Sequence, residues 1–231
     1  MASRGKSPKT PKSKSPRKRD SSDNSLSPRE SPRTRATCDV SRRVRDLCAK
    51  WHELVEKWSN LNTLGINVAN NVMNLQLQKQ YSDVDNSNSL TVLSDLSTTS
   101  SELEENVMKL LEELTQILSK MSQVCNKMES ISESFLAAQK LKNFNEKEVN
   151  DHETEIYFNT WPLHQYYSIS QKLYSMYGKE LTLKQKLCSH FTRTKDRNEL
   201  FVYLSLWLHE PYLNDEKDVL LESMLIETGL R

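Results

Sequence analysis

The chain has 231 residues, enough for one ordinary domain with tails, and it contains only four glycines and 7% aromatic residues. The shortage of glycine argues against sheet-rich folds with many tight turns and against Gly-rich phosphate-binding loops. The net charge is +1, yet residues 1–35 hold eleven Lys/Arg against three Asp/Glu, so the remainder carries about seven excess negative charges. A basic tail on an acidic body suggests nucleic-acid contact, nuclear import or a tail that folds back on its own body.

Residues 1–37 are predicted to form a disordered tail. Their aliphatic or aromatic residues are Met1, Ala2, Leu26 and Ala36. Ordering a residue costs roughly 1–2 kcal/mol of backbone entropy, which these few apolar groups cannot offset over the whole segment. Five Ser/Thr-Pro pairs also favour phosphorylation by proline-directed kinases, because proline keeps the acceptor extended. The candidate phosphorylation sites are Ser7, Thr10, Ser15, Ser27 and Ser31.

A basic cluster within this tail indicates nuclear import, with contact to phosphate backbones as the alternative. The candidate import residues are Lys12, Lys14, Arg17, Lys18 and Arg19. Each phosphate adds roughly −1.5 to −2 charges, so phosphorylation of all five candidate sites would cancel or invert the tail's positive charge. No aromatic residue stands among these charges, so the tail is not predicted to stack on bases.

Residues 38–81 are predicted to form a first long helix. Apolar side chains recur there at alternating steps of four and three, which is typical of one helix packing along another. The stripe consists of Val40, Val44, Leu47, Trp51, Leu54, Trp58, Leu61, Val68, Val72 and Leu75. Gly65 lies in the same stripe, where it indicates a kink or a close approach of a neighbouring backbone. Residues 82–100 are mostly Ser, Thr, Asp and Asn and are predicted to be a flexible linker.

Residues 101–142 carry the clearest pattern, two interleaved seven-residue repeats without glycine or proline. The repeats are Leu103, Leu110, Ile117, Val124 and Ile131, and Val107, Leu114, Met121, Met128 and Phe135. Ser101 and Glu104 stand at capping-box spacing and predict the start of this helix. Leu111, Leu118 and Cys125 widen the apolar face, which favours a bundle over a two-stranded coil. We expect the two long helices to pack against each other.

Residues 143–160 are predicted to be a second linker, and residues 161–231 a helical region rich in Trp and Tyr. Trp161-Pro162 resembles a helix start, and this helix should continue to about Phe191. Its expected inner face consists of Tyr166, Ile169, Leu173, Met176, Leu183 and Leu187. Shorter helices are predicted over 197–209 and 215–228, with Gly229 ending the last. The predicted fold class is therefore all-α, an elongated helical bundle or coiled coil with a disordered basic N-terminal tail.

The sequence carries no signature of catalysis. The sequence contains no G-x-S-x-G motif, Walker-type loop or H-E-x-x-H motif. Cys188 and His190 are the one close Cys/His pair, and two ligands do not make a zinc site. The polar N-terminus and the lack of an apolar run near 20 residues predict a soluble, intracellular protein with reduced thiols. We therefore expect no enzymatic activity, no cofactor or metal, no small-molecule ligand and no membrane contact.

The aromatic residues are candidates for partner binding, because Tyr and Trp combine a large apolar area with a polar group. Trp51 and Trp58 lie one heptad apart, which favours core packing over partner anchoring. The C-terminal third concentrates further aromatic residues. The partner-binding candidates are Trp51, Trp58, Trp161, Tyr203, Trp207 and Tyr212.

Two stretches of the chain, about 45–80 and 158–231, resemble the animal cyclin-dependent kinase 2-interacting proteins. The resemblance is carried by several long runs of unusual composition. These runs are Trp51-His52-x-Leu54, Lys57-Trp58-x-x-Leu61-Asn62, Ala69-Asn70-Asn71, Thr160-Trp161-Pro162, Met176-Tyr177-x-Lys179-Glu180-Leu181, Tyr203-Leu204-Ser205-x-Trp207-Leu208-His209-x-Pro211-Tyr212 and Leu221-Glu222-Ser223-Met224-Leu225-x-Glu227-Thr228-Gly229. The middle helix agrees in pattern alone, and the basic tail is longer than the family's N-terminus.

The resemblance implies a nuclear adaptor without catalytic residues. Its expected partners are a cyclin-dependent kinase, replication and checkpoint factors, and an AAA-type ATPase complex that acts at chromatin and in ribosome maturation. Two other hypotheses remain at this stage. One is a nucleic-acid-binding protein that grips phosphates through the tail, and the other is a structural coiled-coil protein that associates with itself.

Overall fold

A computed structural model describes residues 1–2, 32–87, 93–145, 156, 158–191, 193–194 and 196–231. Within the two long helices, side chains are described over 39–81 and 101–141. The chain forms five helices, α1 (Pro32–Ser87), α2 (Leu93–Asn145), α3 (Leu163–Phe191), α4 (Arg197–His209) and α5 (Glu216–Glu227). The described part contains no strand beyond an isolated bridge between Ile156 and Pro162, so the predicted all-α class is confirmed.

The long helices extend further than the sequence pattern predicted. α1 begins at Pro32, inside the segment 1–37, and α1 and α2 together include all of the predicted linker 82–100 except 88–92. The linker has no glycine or proline, and its Ser, Thr, Asn and Asp residues each cost only a few tenths of a kcal/mol in a helix interior. Extending a formed helix is therefore easy. Ser101 and Glu104 lie inside α2 and do not start it, so that prediction was wrong.

The C-terminal boundaries agree closely with the sequence pattern. α4 spans the predicted residues, and α5 begins and ends within one residue of the prediction. Gly229 follows α5 with a φ of +67°, a left-handed conformation that glycine adopts without strain. α2 continues to Asn145, three residues into the predicted linker 143–160.

Hydrogen bonds at two positions along the bundle axis show the relative directions of the first three helices. Trp51 Nε1 of α1 donates to Ser170 Oγ of α3 at 2.9 Å, and the Ser170 hydroxyl lies 2.6 Å from the Ser132 hydroxyl of α2. Further along, the Gln76 side chain of α1 donates to the carbonyl of Phe191 at the end of α3. α1 and α3 therefore run in the same direction, and α2 runs between them in the opposite direction.

α4 and α5 follow each other along α1 and α3 and together take the place of a fourth helix, interrupted around Pro211. Both of them pack on α1 and α3. Arg45 near the start of the described part of α1 donates to the carbonyl of Gly229 after α5, which fixes the direction of this pair. The result is an up-and-down four-helix bundle. Over the described residues, no helix carries an apolar stretch of the length and hydropathy that a bilayer crossing requires.

The core follows the predicted stripes of α1 and α2 but departs from the predicted face of α3. From Val44 to Val72 and from Leu114 to Phe135, the stripe residues are buried. On α3, Met176 and Leu183 are only partly buried. The buried positions there are Leu163, Tyr166, Ile169, Ser170, Leu173, Tyr177, Glu180, Lys184, Leu187 and Phe191. The α3 seam therefore passes through two charged residues, which a search for apolar side chains passes over.

The four-helix bundle covers only part of the two long helices. α3 ends at Phe191 beside Gln76, whereas α1 continues to Ser87 and its partner α2 begins at Leu93. We call this extension, residues 74–87 and 93–110, the hairpin end. Within it the apolar residues Leu77, Val107 and Leu110 are only partly buried, because α1 and α2 are the only described helices that extend to this end.

Candidate partner-binding surface

α4 is apolar on almost every side, which is unusual for a short surface helix. Ten of its thirteen positions form the run Leu200–His209, in which Ser205 and His209 are the polar side chains. Its first turn is capped by Asp196, whose side chain accepts a 2.8 Å hydrogen bond from the Asn198 backbone N–H. It ends at Glu210, which adopts a left-handed conformation with φ of 44°. A helix of this composition can pack on two sides at once.

The inner side of α4 is held against α1 by a tight contact between Trp207 and Gly65. Trp207 is fully buried, and a Cβ atom placed on Gly65 would lie 2.5 Å from the Trp207 ring. Real Cβ contacts of that length do not occur, so only glycine allows the indole to approach α1 this closely. Gly65, which the sequence marked as a kink or close approach, is therefore a close approach of a side chain and not of a backbone.

A buried ionic cluster joins α1, α3 and the end of α4 at the same place. Lys184 Nζ donates to Asn62 Oδ1 at 2.7 Å and to the carbonyl of Trp207 at 2.9 Å. It also lies 3.3 Å from a carboxylate oxygen of Glu180 and 3.4 Å from one of Glu210. The same Glu210 oxygen accepts a 2.8 Å hydrogen bond from the Trp58 indole. The cluster therefore fixes the C-terminal end of α4 to both long neighbours.

Burial shifts the ionisation of this cluster. The side chains of Lys184 and Glu180 are both wholly inaccessible to solvent. Burial lowers the pKa of Lys184, and the carboxylates of Glu210 and Glu180 oppose that change. Burial raises the pKa of Glu180, against the effect of Lys184 and of a backbone hydrogen bond from Tyr212. Each charged group in the cluster therefore depends on its partner to remain inside the protein.

The opposite side of α4 exposes large apolar groups. Phe201, Val202 and Leu208 are 47%, 55% and 58% exposed, and Tyr212 just beyond the helix is 47% exposed. We call these four residues the outer α4 surface. The guanidinium of Arg197 lies 5.4 Å from the centre of the Phe201 ring, which adds one cation beside the apolar group. Exposed Tyr and Phe beside Arg is a combination enriched at the centre of protein interfaces.

α5 is positioned by one carboxylate at its C-terminal end. Glu227 accepts hydrogen bonds from the backbone N–H groups of Thr160 and Trp161 and, at 3.0 Å, from the Thr160 hydroxyl. These N–H groups precede α3, so the carboxylate also lies at the positive end of that helix. Burial raises the pKa of Glu227, but these hydrogen bonds outweigh it and the pKa lies below its ordinary value.

The structure separates the six aromatic candidates into two groups. Trp51, Trp58 and Trp207 are at most 1% exposed, so they are core residues and present no ring to a partner. Their indole N–H groups find acceptors inside the chain, which removes the usual cost of burying them. Trp161 and Tyr203 are partly buried, and the exposed member is Tyr212.

The candidate residues in the N-terminal tail lie outside the described residues. This holds for the five phosphorylation candidates and for the five import candidates. They are Ser7, Thr10, Ser15, Ser27 and Ser31, and Lys12, Lys14, Arg17, Lys18 and Arg19.

The described cysteines and histidines do not assemble a reactive site. Burial raises the pKa of the Cys48 and Cys125 thiols to about 12, so both stay protonated near neutral pH. Cys188 is partly buried, while His190 is exposed with its ring 5.3 Å from that of Tyr203. Within the described ranges, no three His, Cys, Asp or Glu side chains come together as a metal site would require.

Sequence reasoning missed the ionic cluster and the Glu227 anchor. A signal for the first was present, because Glu180 and Lys184 continue the alternating four- and three-residue steps of the α3 seam. Two charged residues at seam positions and four residues apart indicate a buried pair. No local signal marked Glu227, because the N–H groups that donate to it stand more than sixty positions earlier in the chain.

Comparison with known proteins identifies the family. No protein-family model matches the chain. It is 35% identical over 203 residues to the cyclin-dependent kinase 2-interacting protein of Homo sapiens, covering 87% of this chain and 94% of that protein. The protein of the same name from Xenopus laevis is 33% identical over 200 residues, with the same shares covered. Because the identity exceeds 30% over nearly the whole length of both proteins, the chain belongs to the family of cyclin-dependent kinase 2-interacting proteins.

Proposed function

We propose that this protein is a non-enzymatic adaptor that binds a cyclin-dependent kinase through the outer α4 surface. The names of its relatives support a role in binding such a kinase. The observation that carries the choice of surface is that α4 is fixed on one side by Trp207 and the ionic cluster, while Phe201 and Leu208 on the other side face solvent. A rigid helix with exposed anchors loses little side-chain and backbone freedom on binding.

The surface fits a partner with an apolar pocket. Phe201 and Leu208 lie seven positions apart on one side of α4, with Ser205 between them, and Tyr212 continues that line. Such i, i+4, i+7 anchors are how an amphipathic helix enters a groove on its partner. Arg197 beside Phe201 would then meet a carboxylate or an aromatic face at the rim.

Binding of the purified full-length chain to cyclin-dependent kinase 2, alone and with a cyclin, tests this proposal. Leu208→Glu should weaken binding by about tenfold or more, because it places a charge at the centre of the contact. Leu141→Glu on α2 is the matched control, since Leu141 is 55% exposed and Leu208 is 58% exposed. Equal binding by the Leu208→Glu and Leu141→Glu proteins would overturn the proposed surface.

We further propose that the protein acts in the nucleus and joins the kinase to replication and checkpoint factors and to an AAA-type ATPase complex at chromatin and in ribosome maturation. The basic cluster of the tail supports nuclear import. Affinity purification from nuclear extract, with the intact chain and with residues 1–31 removed, should recover these partners in both cases. Recovery of kinetochore or vesicle-tethering subunits in their place would overturn this assignment.

Nucleic-acid binding by the tail is a second candidate, and the surplus of eight positive charges in residues 1–35 is the observation that favours it. It predicts binding that falls steeply as salt rises and that disappears when residues 1–31 are removed. Retention of nucleic-acid binding without the tail would exclude this mechanism. The two candidate functions are separable, because partner recovery by the adaptor does not depend on the tail.

A further inference from the structure

A shallow depression lies on α2 just beyond the point where α3 ends. It has a volume of about 470 Å³ and is lined by Glu105, Met108, Lys109, Leu111, Glu112 and Thr115. Thr115 is also next to Cys188 in the last turn of α3, which places the depression in line with α3. Met108, one of the lining residues, is 66% exposed, which is unusual for a long apolar side chain on a bundle helix.

The seam next to the depression is also incompletely covered. Leu103, Val107 and Leu110 continue the seven-residue repeats of α2, but they are only partly buried, whereas Leu114 is wholly buried. In the bundle, α3 supplies the third helix that covers this face. At the hairpin end none of the described helices takes that place, and an added helix in line with α3 would complete it.

Among the residues that the structure describes, no helix takes this place. After Phe191 the chain turns back, and Asp196 caps α4, which packs beside α3 in the opposite direction. The basic residues 3–31 contain Leu26 as their one large apolar side chain, so they cannot cover an apolar face of several residues. A helix from another molecule can fill this place.

The charges around the depression select the kind of molecule. The side chains described over 74–81 and 101–113 include five glutamates and two lysines, a net charge of −3. Both lysines already contact glutamates, Lys79 with Glu104 and Lys109 with Glu105 at 2.8 Å. A second copy would bring the same negative charge and be repelled. A helix with Lys or Arg beside its apolar stripe is attracted.

We propose that the hairpin end binds a basic amphipathic helix of a partner protein, which lies in line with α3 across Met108. Its apolar residues pack on Met108, Val107 and Leu111, and its cations lie against Glu105 and Glu112. This second docking site extends the proposed adaptor function, and it lies on the two helices that make no part of the outer α4 surface. The protein would thereby hold two partners at different places along one rod.

A designed helix provides the first test. The probe is a labelled peptide of about 21 residues, or three heptads, with Leu at the a and d positions and Lys at e and g. A second peptide has Glu in place of every Lys. The full-length protein should bind the basic peptide, with affinity that falls as NaCl is raised from about 0.1 to about 0.5 M, and should not bind the acidic one. Absence of binding to the basic peptide, or equal binding of both peptides, would overturn the proposal.

Single substitutions locate the site. Met108→Glu should weaken binding of the basic peptide by about tenfold or more, because it removes the central apolar contact. Val219→Glu on α5 is the matched control, since Val219 is 64% exposed and Met108 is 66% exposed, and it should leave binding unchanged. Helicity and the thermal midpoint are measured for both variants to verify folding. Equal loss in the two variants would place the peptide elsewhere and refute the site.

Two further measurements separate this proposal from its alternatives. Sedimentation of the unmodified protein should show a monomer, and a dimer dispersed by Met108→Glu would show that a second copy covers the hairpin end. Leu208→Glu should leave peptide binding unchanged even where it removes kinase binding. Leu208→Glu therefore tests the outer α4 surface, and Met108→Glu tests the hairpin-end site, so that either proposal can be refuted without the other.

Discussion

The two ends of α2 carry the same seven-residue repeat but differ in how far their apolar side chains are buried. Leu114 and Met121 lie in the four-helix bundle and are completely buried, whereas Leu103 and Val107 at the hairpin end remain partly exposed. The side chains are of the same kind and the backbone is the same helix. The difference arises because α3 ends, and α4 begins, before the hairpin end is reached. A repeat therefore specifies an apolar edge, and the length of the neighbouring helices decides how much of it is covered.

Removing the buried ammonium group should have the largest effect on the well-covered region. Lys184→Met leaves Glu180 and Glu210 without their cation inside the bundle and should lower the free energy of unfolding by about 3–5 kcal/mol. Urea unfolding followed by tryptophan fluorescence measures it. Lys172→Met on the same helix is the control, because Lys172 makes a solvent-exposed pair with Glu216 and should cost at most about 1 kcal/mol. Similar losses in the two variants would contradict the buried cluster.

Matched leucine truncations test the contrast between the two ends directly. Leu114→Ala should cost about 2–5 kcal/mol, since it opens a cavity in a closed core. Leu110→Ala, four positions earlier on the same helix, should cost about 1 kcal/mol or less because solvent already reaches the side chain. Chemical denaturation monitored by circular dichroism gives both values. A loss at Leu110 as large as that at Leu114 would show that the hairpin end is covered.

Replacing either of two helical glycines by alanine should change the free energy of unfolding, but in opposite directions. Gly65→Ala forces a methyl group against Trp207, and overpacking of about 1–3 kcal/mol outweighs the gain in helix propensity. Gly178→Ala meets nothing within 4 Å and should raise the free energy of unfolding by about 0.5–1 kcal/mol. Thermal midpoints of the two variants provide the comparison. Stabilisation by Gly65→Ala would exclude the close contact between α1 and Trp207.

Glu227→Gln should lower the free energy of unfolding by a modest amount that depends on pH. The substitution keeps the shape but weakens hydrogen bonds to the Thr160 and Trp161 N–H groups, at a cost of about 1–2 kcal/mol near pH 7. Because the folded pKa lies below the ordinary value of 4.5, the stabilisation is full above 4.5 and is lost as the pH falls through the folded value. Unfolding curves at several pH values should therefore converge for the two proteins in acid.

Much of the fold was readable from the sequence. The apolar stripes predicted two long paired helices, and Pro162 and Gly229 marked helix ends that the structure confirms within a few residues. The linker 82–100 was misread, because polar residues without glycine or proline weaken a helix only slightly and do not end it. Composition alone does not distinguish a flexible linker from a polar stretch that belongs to the end of a helix.

The candidate binding surface was predicted less well. Trp58 and Trp207 were both candidates for partner binding, although core packing was favoured for Trp58. Both are core residues with indole N–H groups bonded inside the chain. The residues that do face solvent, Phe201 and Leu208, carry no mark in the sequence that separates them from their buried neighbours. α4 is apolar all round, so its own periodicity cannot say which side faces inward.

The sequence by itself determined that this protein is helical, because a repeat of seven residues fixes which side of a backbone is apolar. It also determined the basic charge of the tail. Only the tertiary structure decided which apolar sides are covered, because burial depends on where helices distant in sequence begin and end. The same reason places Lys184 inside the bundle and leaves Met108 outside it, although each lies on a long amphipathic helix.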